Sequence, residues 1–330
     1  MVKMKTIKIL LPGGLLLLLV LAGITWRAGM SAKSSLAQQY PPPGQLVDIG
    51  GYKLHIHCVG HGRPTVIMDA GVNDFSVQWL NIQAELSKNH RACTYDRAGL
   101  GWSEASPYLR VSETMVKELH TLLERAGVEG PYALVGHSYG GMNMRLYAHR
   151  YPKEVAGMVL VDAAHEELPV RIPALQKAAE QMAGQFRFLA RLSSLGVMAL
   201  SLDDIPDRGL TGDALARYRA VLATTHFFDT AAAETESIEK SYSDVRQLNI
   251  SSLGNIPLLV LSRGLSDPIP GFTETENQQF EQAWKEMQAK LVTLSPRGRQ
   301  ITAARSQHYI QLSEPQLVVD AIRNVARQAR

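Results

Sequence analysis

The segment Gly136-His137-Ser138-Tyr139-Gly140 matches the pattern G-x-S-x-G and is followed by Gly141. In this pattern the serine occupies a sharp turn between a strand and a helix, where its hydroxyl projects from the sheet. The flanking residues fit, because an apolar strand (Tyr132–Val135) is predicted before the motif and a helix after it. The N-terminus of that helix would supply positive potential for a developing oxyanion. We therefore predict that Ser138 is a nucleophile for acyl transfer.

A serine hydroxyl reacts at neutral pH only when a base takes its proton. We predict that His308 is this base, because it lies near the C-terminus between the last strand and the last helix of the chain. Its loop should open at the same edge of the sheet as Ser138. The other histidines have simpler explanations, since most of them fall within predicted strands, helices or turns.

The base needs a carboxylate that fixes its tautomer and stabilises the imidazolium. Two aspartates follow predicted strands at the correct edge of the sheet: Asp267, after the strand Pro257–Ser262, and Asp162, after the strand Val155–Val161. Asp267 is the preferred acid because its loop neighbours the loop of His308. It also gives the chain order serine, aspartate, histidine. Asp162 remains the alternative.

Strands and helices alternate along most of the chain, which predicts a mostly parallel, eight-stranded twisted sheet flanked by helices. A hairpin at Gly50-Gly51 begins the pattern. Residues 166–250 interrupt it, because they are rich in helix-forming residues and contain no clear strand. We expect a core formed by residues 46–165 and 251–330, with residues 166–250 inserted after the sixth strand as a helical cap above the ligand-binding edge of the sheet.

The N-terminal segment, residues 1–37, predicts a signal or a membrane anchor. Lys3, Lys5 and Lys8 precede an apolar run over residues 9–26, which is close to the length that spans a bilayer. An uncleaved anchor is favoured over a removed signal, because the small residues at 35–37 that would suit a signal peptidase lie well past the apolar run. Excess positive charge before the run places the body outside the cytoplasm. Residues 38–45, which include three prolines, then form a stiff linker.

Charge and cysteine content exclude several classes of function. The chain of 330 residues has a formal charge of +3, but its first 37 residues carry five basic residues and no acidic one. The remainder is close to neutral, which argues against a nucleic-acid partner. The two cysteines, Cys58 and Cys93, are too few for a disulfide scaffold or a zinc site. Both lie in strand-like runs, and we expect buried free thiols.

Four segments in this order resemble the α/β-hydrolase fold superfamily, across about residues 45–328. They are the serine motif at 136–141, Asp96-Arg97-Ala98-Gly99-Leu100-Gly101-Trp102-Ser103, the segment 264–270 around Asp267, and His308-Tyr309-Ile310. The resemblance implies an oxyanion hole formed by the backbone amides of Val72 and Tyr139. The chain has Asp69-Ala70-Gly71 where many members have His-Gly, but a backbone donor does not need the histidine side chain. Members with an aspartate nucleophile are excluded, because residue 138 is serine.

The residues and the resemblance together predict a serine hydrolase that cleaves an ester through an acyl-enzyme, resembling carboxylesterases and lipases. No metal or organic cofactor is expected, and the partner is a small-molecule acyl substrate. The sequence leaves amides, thioesters, lactones and carbon–carbon bonds open as substrates. Two other functions also remain open: a non-catalytic ligand-binding member of the fold, and a cofactor-free oxygenase or peroxidase-like enzyme.

Overall fold

The computed structural model describes residues 3–224 and 226–329, with side chains from residue 15 onward. Its eight strands form one sheet in the order β1-β2-β4-β3-β5-β6-β7-β8. β1 and β2 pair antiparallel, β2 pairs antiparallel with β4, and all other pairs are parallel. The predicted sheet is therefore confirmed. The strands are β1 (Gln45–Asp48), β2 (Lys53–Val59), β3 (Thr65–Asp69), β4 (Ala92–Tyr95), β5 (Tyr132–His137), β6 (Val155–Val161), β7 (Leu258–Arg263) and β8 (Gly298–Ala303).

Successive residues of the central strands face two different apolar layers, because side chains alternate across a strand. In β3, Ile67 belongs to one layer, while Val66 and Met68 belong to the other. Both layers are covered by helices, which explains why these strands are apolar almost throughout. One layer is covered by α3 (Ser112–Arg125), α4 (Tyr139–Arg150) and α10 (Glu274–Val292), and the other by α2 (Leu80–Leu86) and α12 (Pro315–Gln328).

Residues 166–250, called the cap from here on, contain five helices between β6 and β7. They have a separate apolar cluster that includes Phe186, Phe227 and Phe228 and joins the core through Phe75. Phe227 and Phe228 are buried in this cluster, so they pack the cap together. The helices are α5 (Leu168–Arg171), α6 (Ala174–Ser194), α7 (Gly212–Thr224), α8 (Phe227–Glu236) and α9 (Ile238–Gln247); the short α11 (Ile310–Ser313) follows β8.

The N-terminal segment forms one long helix, α1 (Lys3–Gln39), which extends into the predicted linker. Within the described side chains, Leu15–Gln39 is long and apolar enough to cross a membrane, with a mean hydropathy of 1.7. The side chains of Lys3, Lys5 and Lys8 lie outside the described part. The C-terminal part of α1 packs on the cap, against α7 and the short helix Val197–Leu200.

The expectation of free thiols is wrong, because Cys58 and Cys93 form a disulfide. Antiparallel pairing of β2 with β4 places the two residues directly opposite each other. Paired residues of neighbouring strands are close enough for such a bond. Disulfides persist in oxidising compartments, so the bond is consistent with a body outside the cytoplasm.

Candidate active site

Ser138 lies on the sharp turn between β5 and α4 that the sequence predicts. Its backbone has φ 51° and ψ −122°, a conformation that residues other than glycine rarely adopt. Neighbouring segments hold it there: its N–H donates to the carbonyl of Val161 at 3.1 Å, and its carbonyl accepts from the amides of Gly141 and Ala164. Three bonds to the strained residue's own peptide groups compensate for its unfavourable dihedral angles.

Glycines of the motif allow close approach of backbone to backbone. A Cβ atom on Gly136 would lie 2.5 Å from the carbonyl oxygen of Gly140, and one on Gly140 would lie 2.5 Å from the carbonyl oxygen of Ala70. Both distances are too short for any side chain. The two glycines therefore let β5, α4 and the loop after β3 meet around Ser138.

His308 makes its side-chain hydrogen bond with Asp162. The distance from Nδ1 of His308 to Oδ2 of Asp162 is 2.7 Å. The preferred pairing of His308 with Asp267 is therefore wrong. The carboxylate of Asp267 accepts only from the backbone N–H of His308, at 3.4 Å. The alternative acid, Asp162, is the aspartate that contacts the imidazole.

The surroundings of Asp162 keep it ionised. It follows β6, is fully buried, and accepts hydrogen bonds from Arg263 and from the indole Nε1 of Trp284. Burial alone would raise the pKa of Asp162, but the hydrogen bonds and charges of His308 and Arg263 outweigh burial and lower this pKa to about 2. A buried carboxylate that stays charged can stabilise a protonated His308.

The choice between the two aspartates depends on the sheet. β6 lies between β5 and β7, so Asp162 at the end of β6 is one strand away from Ser138, and Asp267 follows β7, two strands away. Chain order does not separate the two, because both aspartates lie between Ser138 and His308. The signal available in the sequence was the position of Asp162, which directly follows the last residue of its strand.

His137 supports the loop of His308, a role that the sequence did not reveal. Its Nε2 donates to the backbone carbonyl of His308 at 3.0 Å, and the two rings lie 4.6 Å apart. Burial and the neighbouring His308 hold the pKa of His137 well below its usual value. His137 is therefore a neutral hydrogen-bond donor that links the serine turn to the histidine loop.

The loop after β3 contains Val72, whose amide was implied as an oxyanion donor. Arg97 holds this loop from below, donating to the carbonyls of Ala70 and Gly71 at 2.9 and 2.6 Å. The second predicted donor, the amide of Tyr139, begins α4, and the first amides of a helix have no acceptor within it. Both predicted donors thus flank Ser138 in the fold.

Arg97 and Glu234 form a buried network that sequence reasoning missed. Arg97 binds the carboxylates of Asp69 and of Glu234, which comes from α8 of the cap. The other carboxylate oxygen of Glu234 accepts from the backbone N–H of Asn73 at 2.6 Å. The cap therefore contributes directly to the position of the loop that carries Val72. The signal was Arg97 in its glycine-rich turn, but nothing in the sequence pointed to Glu234.

An apolar cavity of about 420 Å³ lies between α6, α8 and α9 of the cap and the loop after β7. Its wall continues to the site at two points. Tyr242 packs against the ring of Tyr139, with centroids 6.5 Å apart, and Thr235 Oγ1 is 3.0 Å from the side-chain amide of Asn73. The apolar part of the lining includes Leu168, Leu175, Met182, Ile238 and Ile269.

Known proteins are similar to this chain over most of its length. It is 30% identical over 278 residues to the uncharacterized protein YqjL of Bacillus subtilis, covering 84% of this chain and 89% of that protein. It is 26% identical over 290 residues to an AB hydrolase superfamily protein of Gibberella zeae, covering 81% and 88%.

Two solved structures have a similar fold at low identity. An esterase of Thermogutta terrifontis has a TM-score of 0.60 at 20% identity, covering 84% of this chain and 94% of that one. An epoxide hydrolase of Bacillus megaterium has a TM-score of 0.63 at 20% identity, covering 86% and 100%. The family model described as alpha/beta hydrolase fold matches residues 61–315, well over half of the chain. The strained serine turn, the site at the carboxyl edge of the sheet and this match agree, and the chain belongs to the α/β-hydrolase family.

Proposed function

We propose that this hydrolase is a serine esterase, resembling carboxylesterases, whose triad is Ser138, His308 and Asp162. The observation that carries the proposal is the 2.7 Å hydrogen bond between His308 Nδ1 and the ionised, buried Asp162. This bond fixes the tautomer of the imidazole and leaves Nε2 to accept the proton of a serine. The strained turn that presents Ser138 supports the same assignment.

In the proposed reaction, Ser138 Oγ attacks the ester carbonyl carbon while His308 Nε2 accepts its proton. The negative charge moves to the carbonyl oxygen, where the amides of Val72 and Tyr139 donate to it; each such donor typically contributes about 3–4 kcal/mol. His308 then protonates the leaving alcohol and an acyl-enzyme forms. Water, deprotonated by His308, attacks the acyl carbon and releases the acid and Ser138.

Ester substrates with an apolar acyl or alcohol group fit the site best. The cavity that borders Tyr139 and Asn73 is mainly apolar, and such a cavity favours burial of hydrocarbon. Several structural neighbours are epoxide hydrolases. The members with an aspartate nucleophile use a carboxylate at the position where this chain has Ser138, so an epoxide is not the proposed substrate.

We also propose that the chain is organised as predicted and held at a membrane. Residues 1–37 form the anchor, 38–45 the linker, 46–165 and 251–330 the hydrolase core, and 166–250 the cap. Packing of the C-terminal part of α1 on the cap supports an uncleaved anchor, because cleavage near residue 37 would remove the segment that makes this contact. The disulfide supports a catalytic domain outside the cytoplasm.

The test is steady-state hydrolysis of p-nitrophenyl esters of increasing acyl length by the full chain and by Ser138→Ala. We expect the variant to lose at least 1,000-fold in kcat, in line with removal of a triad member. Ser266→Ala is the matched control, since Ser266 lies in the loop after β7 but outside the proposed triad. Activity retained in Ser138→Ala would refute the assignment, and an inactive wild-type chain across esters and lactones would favour the non-catalytic alternative.

A further inference from the structure

Three large apolar side chains of the cap are exposed on the part of it that receives α1. Phe188, Leu195 and Leu200 are 59%, 52% and 49% exposed. Phe188 and Leu195 are seven residues apart at the end of α6, so they share one face of that helix. Leu200 ends the short helix Val197–Leu200, against which α1 packs. These three residues are called the cap rim. Water is a poor environment for so much clustered apolar surface.

The contact between α1 and the cap is close and specific. The backbones of Gly29 and Gly196 touch, because a Cβ atom on Gly29 would lie 2.6 Å from the carbonyl oxygen of Gly196. Gly196 also has φ 79°, which other residues rarely adopt. One turn further along α1, Lys33 Nζ donates to the carbonyl of Ser193 at 3.1 Å. The cap is therefore fixed to the end of α1, next to Leu195.

The height of this contact above the apolar run can be worked out from helix geometry. Gly29 is three residues after Trp26, the last residue of the apolar run, which at 1.5 Å per residue is about 4.5 Å along the axis. The polar headgroup layer on each side of the hydrocarbon core is roughly 5–7 Å thick. Gly196 and its neighbour Leu195 thus lie within headgroup depth if α1 crosses the bilayer. Trp26, 54% exposed, fits the interface position where tryptophan is enriched.

We propose that the cap rim inserts into the lipid headgroup region, so that the cap lies on the membrane as well as being tethered to it. This inference rests on the proposed anchor function of α1, but it does not depend on the esterase activity. The occupant is the lipid surface, because the rim continues directly from the apolar run of α1. Side chains that reach about 5–10 Å into the interface gain from burial of apolar area.

The test uses the absence of free cysteines among the described residues, since the disulfide occupies both. Single substitutions Leu195→Cys, Leu19→Cys and Ile301→Cys are made in the full chain, labelled with an environment-sensitive bimane and placed in nanodiscs with or without brominated lipids. Leu19 reports whether α1 is in the bilayer. Ile301 is 38% exposed on β8, at the edge of the sheet opposite β1, and serves as the control.

We expect bromine quenching of at least twofold at residues 195 and 19, and none at 301. Quenching at 19 without quenching at 195 would overturn the cap-rim proposal and leave the anchor intact. No quenching at either residue would reject the anchor as well. A probe at 195 that is shielded from water but not quenched would mean that protein, such as a second copy of the chain, covers the rim, and this too would overturn the proposal.

Discussion

Asp162→Asn separates the two candidate acids most sharply. Asparagine keeps the size of the side chain and can still accept a hydrogen bond, but it removes the charge that stabilises a protonated His308. Its NH2 group can also take the place of the oxygen that now faces Nδ1, which would favour the wrong tautomer of the imidazole. The 2.7 Å bond means that His308 feels this change directly.

The expected loss follows from the contacts. Loss of the triad carboxylate typically costs about 10⁴-fold in kcat, and we expect 10³- to 10⁴-fold for Asp162→Asn. Asp267→Asn should cost less than tenfold, because Asp267 contacts His308 only through the backbone N–H at 3.4 Å. Arg263 loses one buried ion-pair partner in Asp162→Asn but keeps Glu281, so the variant should still fold.

The assay is single-substrate kinetics on a p-nitrophenyl ester at pH 7 to 9, with thermal unfolding of each variant as the check on folding. A large fall in kcat for Asp162→Asn with an almost unchanged KM would support the assignment. If Asp267→Asn lost the activity and Asp162→Asn kept it, the reasoning from the hydrogen bond would be refuted.

Three further predictions concern the network, the pH response and the disulfide. Glu234→Gln should lower kcat about tenfold with little change in KM, because it loosens the loop that positions an oxyanion donor; Glu236→Gln, two residues along α8 in an exposed ion pair, is the control and should change neither constant. Because the pKa of Asp162 is lowered to about 2 in the fold, its contribution to stability of roughly 2 kcal/mol should be present above pH 4 and lost as the pH falls toward 2. Urea unfolding at pH 5 and pH 2.5 should therefore show a smaller decrease for Asp162→Asn than for the wild-type chain, and equal decreases would contradict the shift. Cys58→Ser with Cys93→Ser should lower the free energy of unfolding by about 3–4 kcal/mol, as expected for a closed loop of about 35 residues; an unchanged unfolding midpoint would show that the bond does not form.

Much of the fold could be predicted because local patterns coincide with its elements. The apolar runs at Thr65–Asp69 and Val155–Val161 are β3 and β6 to the residue. The serine motif fixed its own strand and helix, since only glycines permit the close approaches around Ser138. In such segments, neighbouring residues alone determine the structure.

The remaining features depend on contacts between distant residues. Asp162 and Asp267 both follow strands at the same edge, and only the three-dimensional path of the loops determines which one contacts His308. Pairing of Cys58 with Cys93 required the register of β2 against β4, which apolar alternation does not specify. Glu234 is separated from Arg97 by 137 residues, so no local pattern could bring them together.

The central claim is that Ser138 is an activated nucleophile. Treatment of the full chain with a fluorophosphonate, followed by proteolysis and tandem mass spectrometry, tests it most directly, because only a serine made reactive by its base displaces the fluoride rapidly. The account predicts stoichiometric phosphonylation of Ser138, and a loss of at least 100-fold in labelling rate in His308→Ala. A wild-type chain left unmodified at Ser138, or one labelled at the same rate without His308, would contradict it.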